Sequence, residues 1–232
     1  MKLPKETNLS DSSRGSSHGR WYDDACGTAF AMELVGERWS LLVIRELMLG
    51  GLRFSDLRAS LPGISAKVLT ERLASLEATG AVVKRKLPPP SAVQVYELTD
   101  WGRAAEPAIQ ELGRWAAQSA RHDPTLPLSP VSLMLSFRTM LDREKAREFE
   151  ADIGFEIGGQ QFRARLANGE LPIVRQDVAG AQVVFRAPVA PLIAAHFYGK
   201  VPVGELAPLV MEGDAALSAR FVDLFHLPAK IG

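Results

Sequence analysis

Apolar residues fall into two regimes along the chain. Between about residues 21 and 120 they recur at helical spacing, broken by one alternating stretch. Ala29, Met32 and Val35 share a face of the run Cys26–Val35, and Gly36 closes it. Ser40 is placed to N-cap an apolar helix ending at Gly50-Gly51. After an extended Arg53-Phe54, Ser55 would cap a short helix that stops at Pro62-Gly63. Ser65 would cap a longer one that stops at Gly80, with Leu69, Leu73 and Leu76 as its core stripe. A short helix, a Pro-Gly turn and a longer helix form a helix-turn-helix layout. Ala81–Leu87, the turn Pro88-Pro89-Pro90 and the alternating Val93–Leu98 then predict a hairpin. Thr99 or Asp100 would cap one long helix from Trp101 to about Ala120.

The second regime begins at Val131. Val131–Phe137 reads as a strand and Arg143–Ala151 as an amphipathic helix. Phe155–Ile157, Phe162–Leu166, Leu171–Val174 and Gln182–Arg186 read as successive strands, with turns at Gly158-Gly159 and Asn168-Gly169. Ala190–Phe197 and Ala215–Phe225 read as helices. The expectation is α+β: a winged helix-turn-helix domain followed by an α+β sandwich, a meander sheet with helices on one side. Pro124, Pro127 and Pro130 place a linker between them. The predicted organisation is a disordered tail at 1–20, a winged domain at 21–120, a linker at 121–130 and a second domain at 131–228.

The 232 residues carry 27 basic and 27 acidic side chains, so the whole chain is not a general polyanion binder. Arg38 to Pro90 is different: nine basic residues face four acidic ones there. This local excess favours an anionic partner for that segment. The single cysteine, Cys26, excludes an internal disulfide framework and fits a reducing compartment. No apolar run approaches a membrane span or a secretion signal, so the expected location is cytoplasmic. The four histidines are far apart, and no metal, cofactor or catalytic constellation stands out. The expectation is therefore not an enzyme, with no cofactor.

On the longer helix, Ser65, Ala66, Lys67, Thr70, Glu71 and Ala74 point away from the leucine stripe or flank it, and Arg72 is a further candidate for contact with DNA. A small, polar outward face is what a helix needs to approach base edges in a major groove. An ordinary amphipathic helix with a solvated face has the same pattern. The hairpin adds Lys84, Arg85 and Lys86 near its tip, suited to phosphates as a wing. Arg38 and Arg53 are further phosphate candidates, and Trp39 reads as core.

The stretch Cys26 to Trp115 resembles the HxlR family of bacterial regulators, a winged-helix branch near MarR. The likeness rests on Cys26, Gly36-Glu37-Arg38-Trp39, Arg45-Glu46-Leu47 and Arg53-Phe54-Ser55-Asp56-Leu57. It continues through Leu61-Pro62-Gly63-Ile64-Ser65-Ala66-Lys67-Val68-Leu69-Thr70-Glu71-Arg72-Leu73 and Tyr96-Glu97-Leu98-Thr99-Asp100-Trp101-Gly102. The resemblance implies transcription regulation by a homodimer on a palindromic operator in double-stranded DNA. It also implies a sensing role for Cys26, which otherwise reads as a buried small hydrophobe. Two features depart from the pattern: the wing tip is short and proline-rich, and Glu71 lies on the face meant for DNA.

Residues 130–228 resemble sterol-carrier-protein-type domains, through Asp177, Tyr198-Gly199-Lys200, Met211-Glu212-Gly213-Asp214 and Phe221–Phe225. That resemblance implies an apolar tunnel and a hydrophobic small-molecule effector. Phe137, Phe155, Phe162, Phe185, Phe197 and Phe221 are the candidate lining, with plain core as the other reading. Two functions compete: a DNA-binding regulator that senses a hydrophobic molecule, and a lipid or small-molecule carrier whose N-terminal half mediates protein contacts. The wing cations favour the regulator.

Overall fold

The computed structural model describes residues 22–88 and 93–231. The tail expected at 1–20 and the turn residues Pro89 and Pro90 lie outside them.

The N-terminal half runs α1 (Gly27–Val35), α2 (Ser40–Leu47), α3 (Phe54–Ser60), α4 (Ala66–Ala78), β1 (Val82–Lys86), β2 (Gln94–Leu98), α5 (Asp100–Arg103) and α6 (Glu106–Ala117). Two starts and one helix differ from expectation. The N-cap of α2 is Trp39, held left-handed at φ 82°, and Ser40 is buried as the first helical residue. The Trp39 ring packs against the core, so the chain turns there. The N-cap of α3 is Arg53 rather than Ser55. Asp56 in its first turn complements the helix dipole. The helix expected over 101–120 breaks into α5 and α6. Pro107 stands in the first turn of α6, where its missing N–H costs nothing. Inside one continuous helix it would clash with the preceding turn.

Ser65 caps α4 as expected, its Oγ accepting from the Val68 N–H at 3.2 Å. Leu69, Leu73 and Leu76 are buried beside Leu57, Leu61 and Ile64. Strands β1 and β2 pair antiparallel, Val82 opposite Leu98 and Lys86 opposite Gln94. Leu52 bonds Tyr96 in both directions, at 3.0 and 2.8 Å, fastening the α2–α3 connection to the hairpin.

The C-terminal half runs α7 (Pro130–Met140), β3 (Ala151–Ile157), β4 (Gln160–Leu166), β5 (Ile173–Arg175), β6 (Val183–Ala187), α8 (Ala190–Gly199), a 3-10 turn (Val203–Glu205), β7 (Val210–Gly213) and α9 (Ala215–Val222). Its sheet has the order β5-β4-β3-β6-β7. The mixed α+β class is as expected, but three details change. Residues 131–137 are helix, not strand. Ser129 caps α7 by accepting from the Ser132 N–H at 3.0 Å, and Pro130 occupies its first position. The helix is buried on several faces, so its apolar run shows no clear period. Residues 143–148 form turns instead of a helix. Finally, β3, β4 and β5 meander, but β6 returns parallel to β3 and the unexpected β7 completes the edge.

The six phenylalanines expected to line a pocket are all fully buried and pack together. Phe137 and Phe197 have ring centroids 4.5 Å apart, and Phe155 stacks on Phe185 at 5.6 Å. Phe221 meets Phe197 edge-on at 6.0 Å. Phe162 lies under the Arg175 guanidinium at 4.9 Å. Close-packed rings gain their stabilisation from one another, so these side chains fill the core instead of lining a tunnel.

One buried apolar cluster runs through both halves. Helix α7 packs against α2 and α6, and Arg138 on α7 pairs with Glu106 on α6 at 2.6 Å. Among the described residues no helix is long and apolar enough to cross a membrane.

Candidate nucleic-acid interface

The leucine stripe of α4 faces inward, which leaves Ser65, Ala66, Lys67, Thr70 and Glu71 exposed on one side. The Lys67 side chain is 86% exposed, and its ammonium lies 4.0 Å from Glu71. An exposed pair at that distance is weak and leaves the lysine free to engage another anion. The Thr70 hydroxyl donates to the Ala66 carbonyl at 2.9 Å, which leaves its lone pairs to accept.

Arg72 departs from expectation. Its side chain is largely covered and pairs with Glu37 at 3.0 Å and Glu71 at 3.8 Å. It ties α4 to the turn before α2 and does not belong to the outward face. The same arrangement accounts for Glu71: its carboxylate is shared between Lys67 and Arg72, so less negative charge faces an approaching phosphate.

Lys84, Arg85 and Lys86 are all exposed on β1. Strand alternation sends Lys84 and Lys86 to one face and Arg85 to the other. Lys84 lies 5.5 Å from the centre of the Tyr96 ring, and Arg85 is 3.4 Å from Glu97 on β2. Arg53, at the start of α3, is exposed. So is Arg38, whose guanidinium sits 5.4 Å from the centre of the Trp39 ring. The turn from α4 into the hairpin passes through Gly80 at φ +79°, a conformation that favours glycine.

Cys26 is exposed at the N-terminus of α1, not buried. The Ala29 N–H first, then the N–H and hydroxyl of Thr28, hold its thiol below the ordinary cysteine range. Fewer than three candidate ligands gather at any point among the described residues, so no metal cluster forms there.

Sequence reasoning missed the buried carboxylate of Glu46. It lies three residues after Val43 on the inward stripe of α2, and that spacing was the available signal. Its Oε1 accepts from Arg45 Nη2 at 2.7 Å and from the Ser129 hydroxyl at 2.7 Å. Burial pushes its pKa up, opposed first by the Arg45 charge.

Comparison with known proteins matches residues 34–124 to the HxlR-like helix-turn-helix family model. The uncharacterized HTH-type transcriptional regulator YvaP of Bacillus subtilis (strain 168) is 42% identical over 89 residues, covering 38% of this chain and 82% of that protein. The HTH-type transcriptional regulator YodB of the same organism is 40% identical over 88 residues, covering 38% of this chain and 79% of that one. The solved reduced form of YodB shares 36% identity, covers 43% of this chain and all of that one, and superposes with a TM-score of 0.39. These relatives are regulators, which agrees with the expectation of a non-enzyme. The family match ends at residue 124, so the sterol-carrier likeness expected beyond it gains nothing from these matches. The chain belongs to the HxlR-like helix-turn-helix family, a family of DNA-binding transcriptional regulators.

Proposed function

We propose that this regulator binds a palindromic operator as a homodimer, with α4 in the major groove and the β1–β2 hairpin along the flanking backbone. The observation that carries this reading is the exposed face Ser65, Ala66, Lys67 and Thr70 on a helix capped by Ser65 and followed directly by three exposed wing cations. The small N-terminal residues allow close approach, and Lys67 or Thr70 can then reach base edges or phosphates. Lys84, Arg85, Lys86, Arg53 and Arg38 supply phosphate contacts that position the protein without reading sequence.

A second copy is favoured by apolar residues that the single chain leaves uncovered. On α6, Leu112 is 47% and Trp115 71% exposed, with Trp101 and Met32 also open to solvent. Exposed large apolar side chains grouped on terminal helices suit a protein interface. Two-fold pairing would present two copies of α4 to a palindrome.

The C-terminal half acts in this reading as the regulatory part. Its phenylalanines are committed to the core, so it works through its contacts with α2 and α6. Selection of bound duplexes from a random pool tests the reading: an enriched inverted repeat supports it, and enrichment of a single unrepeated site contradicts the dimer.

A further inference from the structure

A cleft of about 910 Å³ opens between the two halves. Sites for organic ligands run from roughly 300 to 1,000 Å³ and favour such junctions. Trp39, Leu42 and Asp56 form one wall, and Leu128, Gln160 and Arg175 form the other.

Two cations border the cleft, and they differ. Arg45 is already engaged, donating from Nε at 2.9 Å and Nη2 at 2.7 Å to Glu46. Arg175, the last residue of β5, donates from Nη1 only to the neutral Gln160 Oε1 at 2.8 Å. Among the described residues no carboxylate comes within ion-pair distance of it, and its buried Nε–H has no acceptor. Its aliphatic stem lies beside the turn at Gly50, where a Cβ would come 3.7 Å from Cδ. Burial lowers its pKa, which the more distant charges of Glu46 and Asp56 oppose. A largely covered cation without an anion is costly, and an anionic occupant of the cleft would remove that cost.

We propose that this cleft binds an organic mono-anion, a carboxylate on an apolar body, with the carboxylate on Arg175 and the body against Trp39, Leu42 and Leu128. Asp56 on the facing wall repels a second negative charge, which limits the ligand to one. The occupant bridges α2 and α3 to β5, so it changes DNA affinity by its preference between the free and bound arrangements. That regulatory consequence rests on the DNA-binding reading; the site itself does not.

The test uses the full chain with 2-naphthoate, and with 2-naphthamide as a neutral match, by calorimetric titration and thermal shift. Naphthoate is expected to bind saturably and raise the melting temperature, and the amide to bind at least roughly tenfold more weakly. Arg175→Gln should lose the naphthoate response. Ala59→Trp, which keeps Arg175 and fills the cleft from the exposed side of α3, should lose it too while retaining the native circular dichroism spectrum. Equal binding of acid and amide, undiminished naphthoate binding by both variants, or no saturable binding to the wild type would overturn the proposal. Operator binding is measured separately. DNA binding without naphthoate binding refutes the cleft alone, and naphthoate binding without DNA binding refutes only the DNA reading.

Discussion

The Ser129 hydroxyl donates a 2.7 Å hydrogen bond to Glu46 Oε1, joining the N-cap of α7 to the last turn of α2. The same oxygen takes two bonds from Arg45. One buried carboxylate thus fixes where the C-terminal half starts against the helix-turn-helix. This bond adds a polar contact to the apolar contacts between the two halves, so the junction is specified by both.

This junction gives a pH prediction. Burial raises the pKa of Glu46 in the folded protein. Between its unfolded and folded values the folded state holds more protons than the unfolded state. Stability therefore falls as pH rises from the ordinary carboxylate range through the raised value. Glu46→Gln keeps an acceptor for Ser129 and cannot titrate. Urea unfolding at stepped pH should show the wild type losing stability relative to this variant across that window. Parallel profiles would show that Glu46 has no such role.

Asp152 works in the opposite sense. Its carboxylate holds the covered Arg163 guanidinium, and hydrogen bonding from Arg163 lowers its pKa. Arg163 also donates to the Ala179 carbonyl at 2.6 Å, which ties the 177–179 loop to the sheet. Asp152→Asn leaves Arg163 without its counter-charge. The expected cost is about 2 kcal/mol at neutral pH. The stability from this pair is present above the unfolded carboxylate value and is lost as pH falls through the lowered one. A variant with an unchanged urea midpoint at neutral pH would refute it.

Leu112→Glu puts a charge into the apolar face of α6 that is assigned to the second copy. Its dimer dissociation constant should rise by more than tenfold, on the order of 2 kcal/mol. Sedimentation equilibrium reads this directly, and an unmoved constant would place the interface elsewhere.

Cys26 should react with iodoacetamide faster than free cysteine at pH 7, because the Ala29 and Thr28 groups favour its thiolate. Exposure adds to the effect. A rate no higher than that of free cysteine would remove the basis for a sensing role.

The N-terminal half was legible because its signals are local. Ser65 capping, the Leu69–Leu73–Leu76 stripe and the Val82–Leu98 hairpin each fit within a few turns of sequence. The errors there came from tertiary contacts: Trp39 starts α2 because its ring is held by the core, and Arg72 turns inward to meet Glu37. In the C-terminal half the pattern loses its period. Helix α7 is covered by both halves, so its apolar run read as a strand. The parallel pairing of β3 with β6 joins residues about 30 positions apart, such as Phe155 and Phe185, and no local signal encodes it. The same holds for the cleft, where Arg45 and Arg175 meet only after folding.

The central claim is that α4 and the wing bind duplex DNA through distinct kinds of contact. The most direct measurement is fluorescence anisotropy of a selected operator duplex over a series of salt concentrations, with wild type, Lys67→Ala and the double variant Lys84→Ala/Arg85→Ala. Each lost phosphate contact should lower the slope of log affinity against log salt by about 0.9. The wing variant should therefore lose close to two units of slope per subunit and weaken operator and random duplex alike. Lys67→Ala should weaken operator binding more than random-duplex binding. Wild-type affinity that does not change with salt, or a wing variant that binds like the wild type at every salt concentration, would contradict the account.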